Sequence, residues 1–381
     1  DLLILCSKIE AYVFCVYSDL YASKSKRIKT FASKLVARDL AGLVKLKQAM
    51  NLTILLVFGI FAGLITILAF LFNLSLVPSL ILGIIIALLF MLSQYAIGPA
   101  IVASSSKLRY LRQGENPWLE GVVKDLSNKA GIPQPRLAIA QDPTPNAFVF
   151  GHTASDATLA LHEGLLKELN KEEVRGVIGH ELGHIKHKDF IVVTMLSVIP
   201  LICYIIARSI FWAGGTSGKR EKGGAIILAA IVAYVIYIIS MLFVLYLSRL
   251  REHYADSYSA YITSSPRSLE SGLTKIAWGL SLAPAEPSGA RAFFIEDPAQ
   301  AKADCSRIIE NKPKYDLDKD GVLDEHELML AMEEEAKSRW ANANELFATH
   351  PPIFKRILLL RQIEQEMASG RYTDKEVYKF V

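Results

Sequence analysis

Residues 48–106 read QAMNLTILLVFGIFAGLITILAFLFNLSLVPSLILGIIIALLFMLSQYAIGPAIVASSS, and this run contains no Asp, Glu, Lys or Arg. A helix needs roughly 20 apolar residues to cross a bilayer core, so the run is long enough for two spans. The polar residues Asn73 and Ser75 interrupt it. The pattern predicts a hairpin of two membrane-spanning helices, Asn51–Phe72 and Leu76–Ile97, joined by a short turn.

Two further uncharged runs lie later in the chain, at residues 190–207 and 223–248. They predict a third and a fourth span at Asp189–Trp212 and Ala225–Leu247, although buried helices of a large soluble core would show the same lack of charge. The overall composition, 52% hydrophobic and 21% charged, favours the membrane. We therefore expect a multi-pass protein in contact with the lipid bilayer.

Basic residues flank the first predicted hairpin on both sides. They are Lys24, Lys26, Arg27, Lys29, Lys34, Arg38, Lys45 and Lys47 before it, and Lys107, Arg109 and Arg112 after it. Because Lys and Arg beside spans concentrate on the cytoplasmic side, residues 107–188 and everything after Arg249 are expected in the cytoplasm, at the inner membrane of the cell. The loop 214–223 disagrees, since it is basic but would lie outside. The net charge of +4 indicates attraction to the membrane surface, and no nucleic-acid partner is expected.

A metal-binding pattern lies just before the third predicted span, in VIGHELGHIKHKD at residues 177–189. Its core is H-E-x-x-H, in which His180 and His184 are one helical turn apart, so that both imidazoles can reach one cation. Zinc suits two imidazoles and a carboxylate with one open position. Glu181 lies beside the histidines, where it can take a proton from the attacking water as a general base. Two histidines at this spacing also arise on helices that hold no metal.

The third ligand is expected from RLREHYADSYSA at residues 249–260, which continues the fourth span as a helix. An antiparallel pair of spans returns the chain to the face it left, which would bring Glu252 next to the two histidines. Asp256, one turn further along, is then placed to hydrogen-bond a ligand histidine. His253 is a rival ligand, but it points about 100° away from Glu252 around the helix. A solvated helix face is the alternative interpretation of Glu252 and Asp256.

Several stretches of the sequence together resemble one family. They are PNAFVFG (145–151), HEGLL (162–166), VIGHELGHIKHKD (177–189), EHYAD (252–256) and THPP with Arg356 (349–356). In these stretches and in the expected four spans, the chain is similar to the HtpX-type membrane zinc metallopeptidases, which are relatives of the CAAX prenyl proteases. The resemblance implies a gluzincin fold, proteolysis of membrane or misfolded proteins, and a site that faces the cytoplasm. Prenyl proteases carry more spans, so a count of four favours the HtpX-like branch.

The resemblance also implies that the His-Pro-Pro segment lies near the metal. This makes His350 a candidate donor to the tetrahedral oxyanion, with a turn histidine held by two prolines as the alternative. A peptide substrate is expected to bind as an added strand along an edge-strand-like segment that follows a proline-rich turn, unless that segment is an ordinary internal strand. The residues expected to contact the substrate are Asn146, Ala147, Phe148 and Val149.

A second metal-binding pattern, DLDKDGVLDEHE at residues 316–327, fits the twelve-position EF-hand loop at every ligand position. The expected calcium ligands are Asp316, Asp318, Asp320, the Val322 carbonyl, Asp324 and Glu327. EF-hands usually work in pairs and only one such loop is visible, so an acidic turn without an ion is the alternative. The HtpX-type pattern does not include this element.

The expected fold is mainly α with a small β-sheet. It comprises a four-helix transmembrane region, a gluzincin-type zinc metallopeptidase domain and an EF-hand-like insertion. Strands are expected at Arg136–Ala140, Ala147–Gly151 and Ala157–Leu161. The expected divisions are an amphipathic and basic segment at 1–50, a transmembrane hairpin at 51–99, the metallopeptidase domain at 107–295 and 341–381, and the insertion at 296–340.

These patterns favour an integral-membrane zinc endopeptidase that acts on protein or peptide substrates in quality control. The expected cofactors are Zn²⁺ and, through the acidic loop, Ca²⁺. Two alternatives stay open, a CAAX-type prenyl-protein processing protease and a calcium-sensing membrane scaffold with an inactive metal site. The intact motif argues against the scaffold, because a dead site has no chemical need for the base Glu181.

Overall fold

A computed structural model describes residues 43–70, 73–196, 199, 202–206, 208–209, 220–281, 298–320, 325–338, 345–372 and 376–381. Most of the predicted N-terminal segment at 1–50 falls outside these ranges. The calcium-loop positions Val322 and Asp324 also fall outside them, as does much of the third predicted span.

The long uncharged run forms two helices, α1 (Leu43–Phe70) and α2 (Leu76–Ser105). The turn between them includes Asn73, whose φ of 68° lies in the left-handed region that asparagine tolerates better than most residues. Both helices are long and apolar enough to cross a membrane, and only 17% of the most apolar window of α2 is buried. The two predicted helices are therefore present; α1 begins before its predicted start at Asn51, and α2 continues beyond its predicted end at Ile97.

Four strands form one mixed sheet after the hairpin. They are β1 (Leu108–Tyr110), β2 (Arg136–Ala140), β3 (Ala147–Phe150) and β4 (Thr158–His162). The strand order is β1-β2-β4-β3, with β2 and β4 parallel and the other two pairs antiparallel. The three predicted strands are confirmed, and among the described residues β3 lies at an edge of the sheet. Strand β1 was not predicted, because three residues are too few to give a reliable strand pattern.

Three helices follow in the same part of the chain. They are α3 (Pro117–Ala130), α4 (Glu163–Glu168) and α5 (Lys171–His187). Local sequence explains two of the starts: at α3 the Asn116 side chain accepts from the Leu119 N–H at 3.2 Å, and at α5 Asn170 forms a capping box with Glu173. The helix that carries H-E-x-x-H therefore has a firmly defined beginning.

Two further helices come after α5 in the chain. Helix α6 (Asp189–Leu196) covers the beginning of the third predicted span. Helix α7 (Arg220–Thr263) contains the fourth predicted span, and its part Ile231–Thr263 is long and apolar enough to cross a membrane. The described residues thus offer three candidate spans, in α1, α2 and α7.

The C-terminal part of the chain is helical. Its helices are α8 (Pro266–Ser281), α9 (Pro298–Glu310), α10 (Lys312–Tyr315), α11 (Glu325–Lys337) and α12 (Ile353–Ala368). Ala301 of α9 and Met332 of α11 belong to the same buried core as Ile178 of α5. The segment predicted as an insertion therefore shares its hydrophobic core with the helix that carries the metal-binding pattern.

Candidate metal centre

Helices α5 and α7 bring the three predicted metal ligands together. The Nε2 atoms of His180 and His184 lie 3.1 Å apart. The carboxylate of Glu252 lies 3.3 Å from the His180 Nε2 and 3.5 Å from the His184 Nε2. One ligand atom from each of the three residues lies within 4.8 Å of the others, so the group could hold one metal ion. The rival ligand His253 is not part of this group.

Each of the two imidazoles has a carboxylate beside its Nδ1, and this arrangement determines whether its Nε2 is free to bind an ion. The Nδ1 of His180 lies 2.8 Å from Asp256, and the Nδ1 of His184 lies 3.1 Å from Asp189. When each Nδ1 donates its proton to a carboxylate, both Nε2 atoms present lone pairs to each other and to Glu252. Buried acceptors that converge without a donor repel one another, and a cation between them removes the repulsion. Two nitrogens and a carboxylate oxygen are ligands that zinc prefers.

Glycines of α5 allow its neighbouring helices to approach closely. A Cβ added at Gly183 would lie 3.1 Å from the Cα of Ala255 in α7. One added at Gly176 would lie 2.6 Å from the backbone nitrogen of Leu269 in α8. Protein interiors are already close-packed, so a side chain at either position would push the helices apart. Because Gly183 directly precedes His184, this close approach sets how near α7 comes to the ligands.

Each ligand histidine is supported by a carboxylate that is itself paired with an arginine. Asp256 accepts hydrogen bonds from the Nε and Nη2 of Arg356 at 2.8 and 2.7 Å. Asp189 lies 3.2 Å from the Nε of Arg251 and accepts from its Nη2 at 3.4 Å. All four side chains are buried, so the arginines compensate the carboxylate charges inside the protein. Partners of this kind orient ligand histidines and select their tautomer.

The pairing of Asp189 with Arg251 was not predicted from the sequence. Asp189 was expected only as the first residue of a span. A usable signal was present, because an acidic residue at the start of an otherwise uncharged run normally has a specific partner. Asp256 lies beside His180, at the position the helical spacing predicted.

Burial and neighbouring charges shift the proton affinities of the site in opposite directions. Burial alone would lower the pKa of His180, but Asp256 and Glu252 outweigh it and raise that pKa to about 9, so a cation must displace the proton on its Nε2 in order to bind. Burial raises the pKa of Glu181, against the opposing effect of the two histidines. A carboxylate with a raised pKa is a stronger proton acceptor, which is the property a general base needs.

The His-Pro-Pro segment reaches the same site. His350 is buried; its Nε2 lies 4.0 Å from the Glu252 carboxylate, and its Nδ1 lies 2.9 Å from the Thr349 hydroxyl. Arg356, in the first turns of α12, lies 3.6 Å from Glu252 in addition to its bonds with Asp256. The fold therefore places His350 beside the ligand carboxylate and uses Arg356 in buried ion pairs.

Of the predicted substrate-binding residues, Ala147, Phe148 and Val149 lie on the edge strand β3 and Asn146 directly precedes it; all four side chains are buried. The Asn146 carbonyl accepts from the His162 N–H at 2.9 Å. Ala147 and Val149 belong to the main core, and Phe148 packs with Val102 at the end of α2. Strand β3 contacts α5, so this segment lies beside the helix that carries both ligand histidines.

The acidic loop brings some of its predicted ligands together. Carboxylate oxygens of Asp316, Asp318 and Asp320 lie within 4.8 Å of one another. Glu327 is buried and accepts from the Leu317 N–H at 2.6 Å, so it closes the loop from α11. Asp318 and Asp320 are exposed, and acidic groups of this kind are common without an ion.

Comparisons with known proteins by sequence lead to one family of peptidases. The model of the peptidase family M48 matches residues 113–364. A relative named Protease HtpX homolog from Methanothermobacter thermautotrophicus is 43% identical over 188 residues, which cover 49% of this chain and 70% of that protein. Another of that name, from Aeropyrum pernix, is 31% identical over 283 residues, covering 73% and 85%. The crystal structure of S. mikatae Ste24p aligns with a TM-score of 0.41 and 15% identity, over 86% of this chain and 67% of that one.

Proposed function

The chain belongs to peptidase family M48, and from this premise we propose that it is an integral-membrane zinc endopeptidase that cleaves membrane or misfolded proteins. The observation that carries the proposal is the convergence of His180, His184 and Glu252 within 4.8 Å, with Glu181 buried beside them. The expected open position is the one that a catalytic zinc site keeps for water or substrate. When bound, zinc would supply a Lewis acid that polarises the scissile carbonyl and the attacking water.

Glu181 has the general-base role in this proposal. It accepts a proton from the attacking water and then passes that proton to the leaving amine. Its burial supports the role, because a carboxylate that is poorly solvated holds a proton more readily than an exposed one.

His350 is proposed to stabilise the oxyanion of the tetrahedral intermediate. Its Nε2 lies 4.0 Å from the ligand carboxylate, so it could donate a hydrogen bond to a substrate oxygen held at the same centre. Its Nδ1 lies 2.9 Å from the Thr349 hydroxyl, which limits rotation of the ring. A prepositioned donor stabilises developing negative charge without further reorganisation.

A peptide substrate is proposed to add as a strand along β3, contacting Asn146, Ala147, Phe148 and Val149. The position of β3 at the sheet edge and beside α5 supports this. Strand addition relies on main-chain hydrogen bonds, so it selects weakly among side chains. Weak selection suits a protease of quality control.

The membrane arrangement is proposed to include four spans, with the metal centre facing the cytoplasm at the inner membrane. The basic residues around the first hairpin support this orientation. We also propose that the loop at Asp316, Asp318 and Asp320, completed by Val322, Asp324 and Glu327, binds calcium. The proximity of the first three carboxylates supports that site.

Metal analysis of the detergent-purified chain, together with casein cleavage with and without a chelator, tests the proposed activity. We expect bound zinc and cleavage that the chelator abolishes. The variant Glu181→Gln should keep its zinc and lose about 10²–10⁴-fold in cleavage rate, the usual contribution of a general base. Glu172→Gln, an acidic position in the first turn of the same helix, is the matched control and should cleave like the wild type.

Equal cleavage by wild type and Glu181→Gln would overturn the catalytic assignment. Cleavage of a CAAX peptide in preference to an unfolded membrane protein would favour the prenyl-processing alternative. Zinc-independent binding of calcium without any cleavage would favour the scaffold.

A further inference from the structure

The segment that precedes His350 carries two large apolar side chains into the open. We call residues 345–350 the boundary loop. In it, the side chains of Leu346 and Phe347 are 53% and 62% exposed, while Ala348 and His350 next to them are buried. Exposed apolar side chains that occur singly are normal, but two adjacent ones beside a membrane helix indicate an interaction surface.

Arg249 of α7 ties the boundary loop to a membrane helix. Its Nη1 donates to the carbonyl oxygens of Leu346 at 3.2 Å and Ala348 at 2.9 Å. The carbonyls on both sides of Phe347 are therefore held by one buried guanidinium. A further ion pair, between Lys355 and Glu345 at 2.5 Å, attaches the beginning of the loop to α12. The loop is thus held at a defined position along α7, next to Arg249.

This position on α7 is where the apolar part of the helix ends. The uncharged run of the fourth span ends at Ser248, and Arg249 is the first charged residue after it. Tyr246, one turn earlier, is 54% exposed. Arginine and tyrosine at the end of an apolar helix are typical of the boundary between hydrocarbon and water. Because Arg249 binds the boundary loop directly, Leu346 and Phe347 lie at this same boundary.

We propose that Leu346 and Phe347 contact the lipid bilayer and anchor the boundary loop at its surface. The occupant is lipid because Arg249, which binds the loop, follows the uncharged run of a candidate span, of whose most apolar window only 28% is buried. Apolar and aromatic groups at such a boundary transfer favourably into the outer hydrocarbon region. The anchor holds the backbone three residues before His350, so the membrane surface helps to position the segment that approaches the ligand carboxylate.

A fluorescent amino acid in the boundary loop tests this contact in the whole protein. The chain carrying Phe347→dansylalanine is reconstituted into phosphatidylcholine vesicles, with or without a phosphatidylcholine that bears a nitroxide near the headgroup end of its acyl chain. We expect blue-shifted emission in both vesicles and a loss of intensity in those with nitroxide lipid. Leu346→dansylalanine should respond in the same way, which covers the case in which one of the two variants folds poorly.

Ile309→dansylalanine is the matched control. Ile309 is 56% exposed and apolar, but it lies on α9, which packs against α8. Nitroxide lipid should leave its intensity unchanged. Equal responses at positions 347 and 309 would overturn the proposal. A second outcome would also overturn it. In the Glu181→Gln background, unfolded casein would protect the dansyl group at position 347 from quenching by aqueous iodide, while nitroxide lipid would leave its fluorescence unchanged. That result would assign Phe347 to the substrate groove. The fluorescence needs neither zinc nor cleavage, so its outcome is independent of the proposed activity.

Discussion

The chain offers two groups of metal-ligating side chains, and they are built differently. The group of His180, His184 and Glu252 is buried and comes from two helices that are far apart in sequence. The group of Asp316, Asp318 and Asp320 comes from one short loop and is largely exposed. Both bring their ligand atoms within 4.8 Å, so distance alone does not distinguish them.

The difference lies in what surrounds each group. Behind each buried histidine stands an aspartate, and each aspartate is paired with an arginine. A buried charge needs such compensation, since it has no water to solvate it. The carboxylates of Asp318 and Asp320 are exposed to water, which screens the repulsion between neighbouring charges. The buried ligands are therefore held by paired charges inside the protein, whereas the loop carboxylates are largely exposed to solvent.

The largest effect is expected from Glu252→Ala, which removes a ligand of the buried group. We expect zinc content to fall to background and cleavage to disappear, because two imidazoles alone leave the ion without its charged ligand. Metal analysis after dialysis measures this. Glu163→Ala, a more exposed acidic position on α4, should keep full zinc. Full zinc in Glu252→Ala would show that α7 does not contribute to the centre, and the contrast between the two groups would fail.

A smaller effect is expected from Asp189→Asn, which keeps the size of the side chain but removes its charge. Loss of a hydrogen-bonded carboxylate behind a ligand histidine weakens metal affinity about 10–100-fold. Competition with a chromogenic zinc chelator at fixed pH measures the change. Asp125→Asn is the control, because Asp125 pairs with Arg175 at 2.8 Å but is about half exposed. Unchanged affinity in Asp189→Asn would mean that preorganisation does not distinguish the buried group.

The smallest effect is expected from Asp316→Ala in the acidic loop. Calcium binding should weaken by on the order of tenfold, which corresponds to about 1.5 kcal/mol for a lost charged interaction. Isothermal calorimetry measures calcium, and metal analysis should find zinc unchanged. Glu333→Ala on α11, whose side chain is 51% exposed, is the control. Absence of calcium binding in the wild type, or loss of zinc in Asp316→Ala, would contradict the separation of the two groups.

Local patterns explain how much of this could be predicted from the sequence. The uncharged run predicted α1 and α2, because its signal lies within one continuous stretch of residues. Glu252 could be placed near His184 since antiparallel spans constrain where the chain returns. The approach of Glu252 to both histidines, within 3.5 Å, agrees with that reasoning.

Features that depend on packing between distant segments were missed. Strand β1 forms because residues just after α2 pair with β2, and its three residues are too few to be recognised in the sequence. The pairing of Asp189 with Arg251 joins two helices whose rotation about their axes could not be known beforehand. The sharing of one core by α9, α11 and α5 likewise requires knowledge of which apolar faces meet.

The geometry of the candidate metal centre depends on two glycines of α5 that take no part in its chemistry. Gly183 and Gly176 contribute no ligand, proton or charge, yet the spacing between three helices is set by the space they leave empty. A single methyl group added there would act on the ion by displacing an entire helix, without touching any atom that coordinates it. The placement of the candidate ligands therefore depends in part on the absence of side chains at positions that take no part in the chemistry.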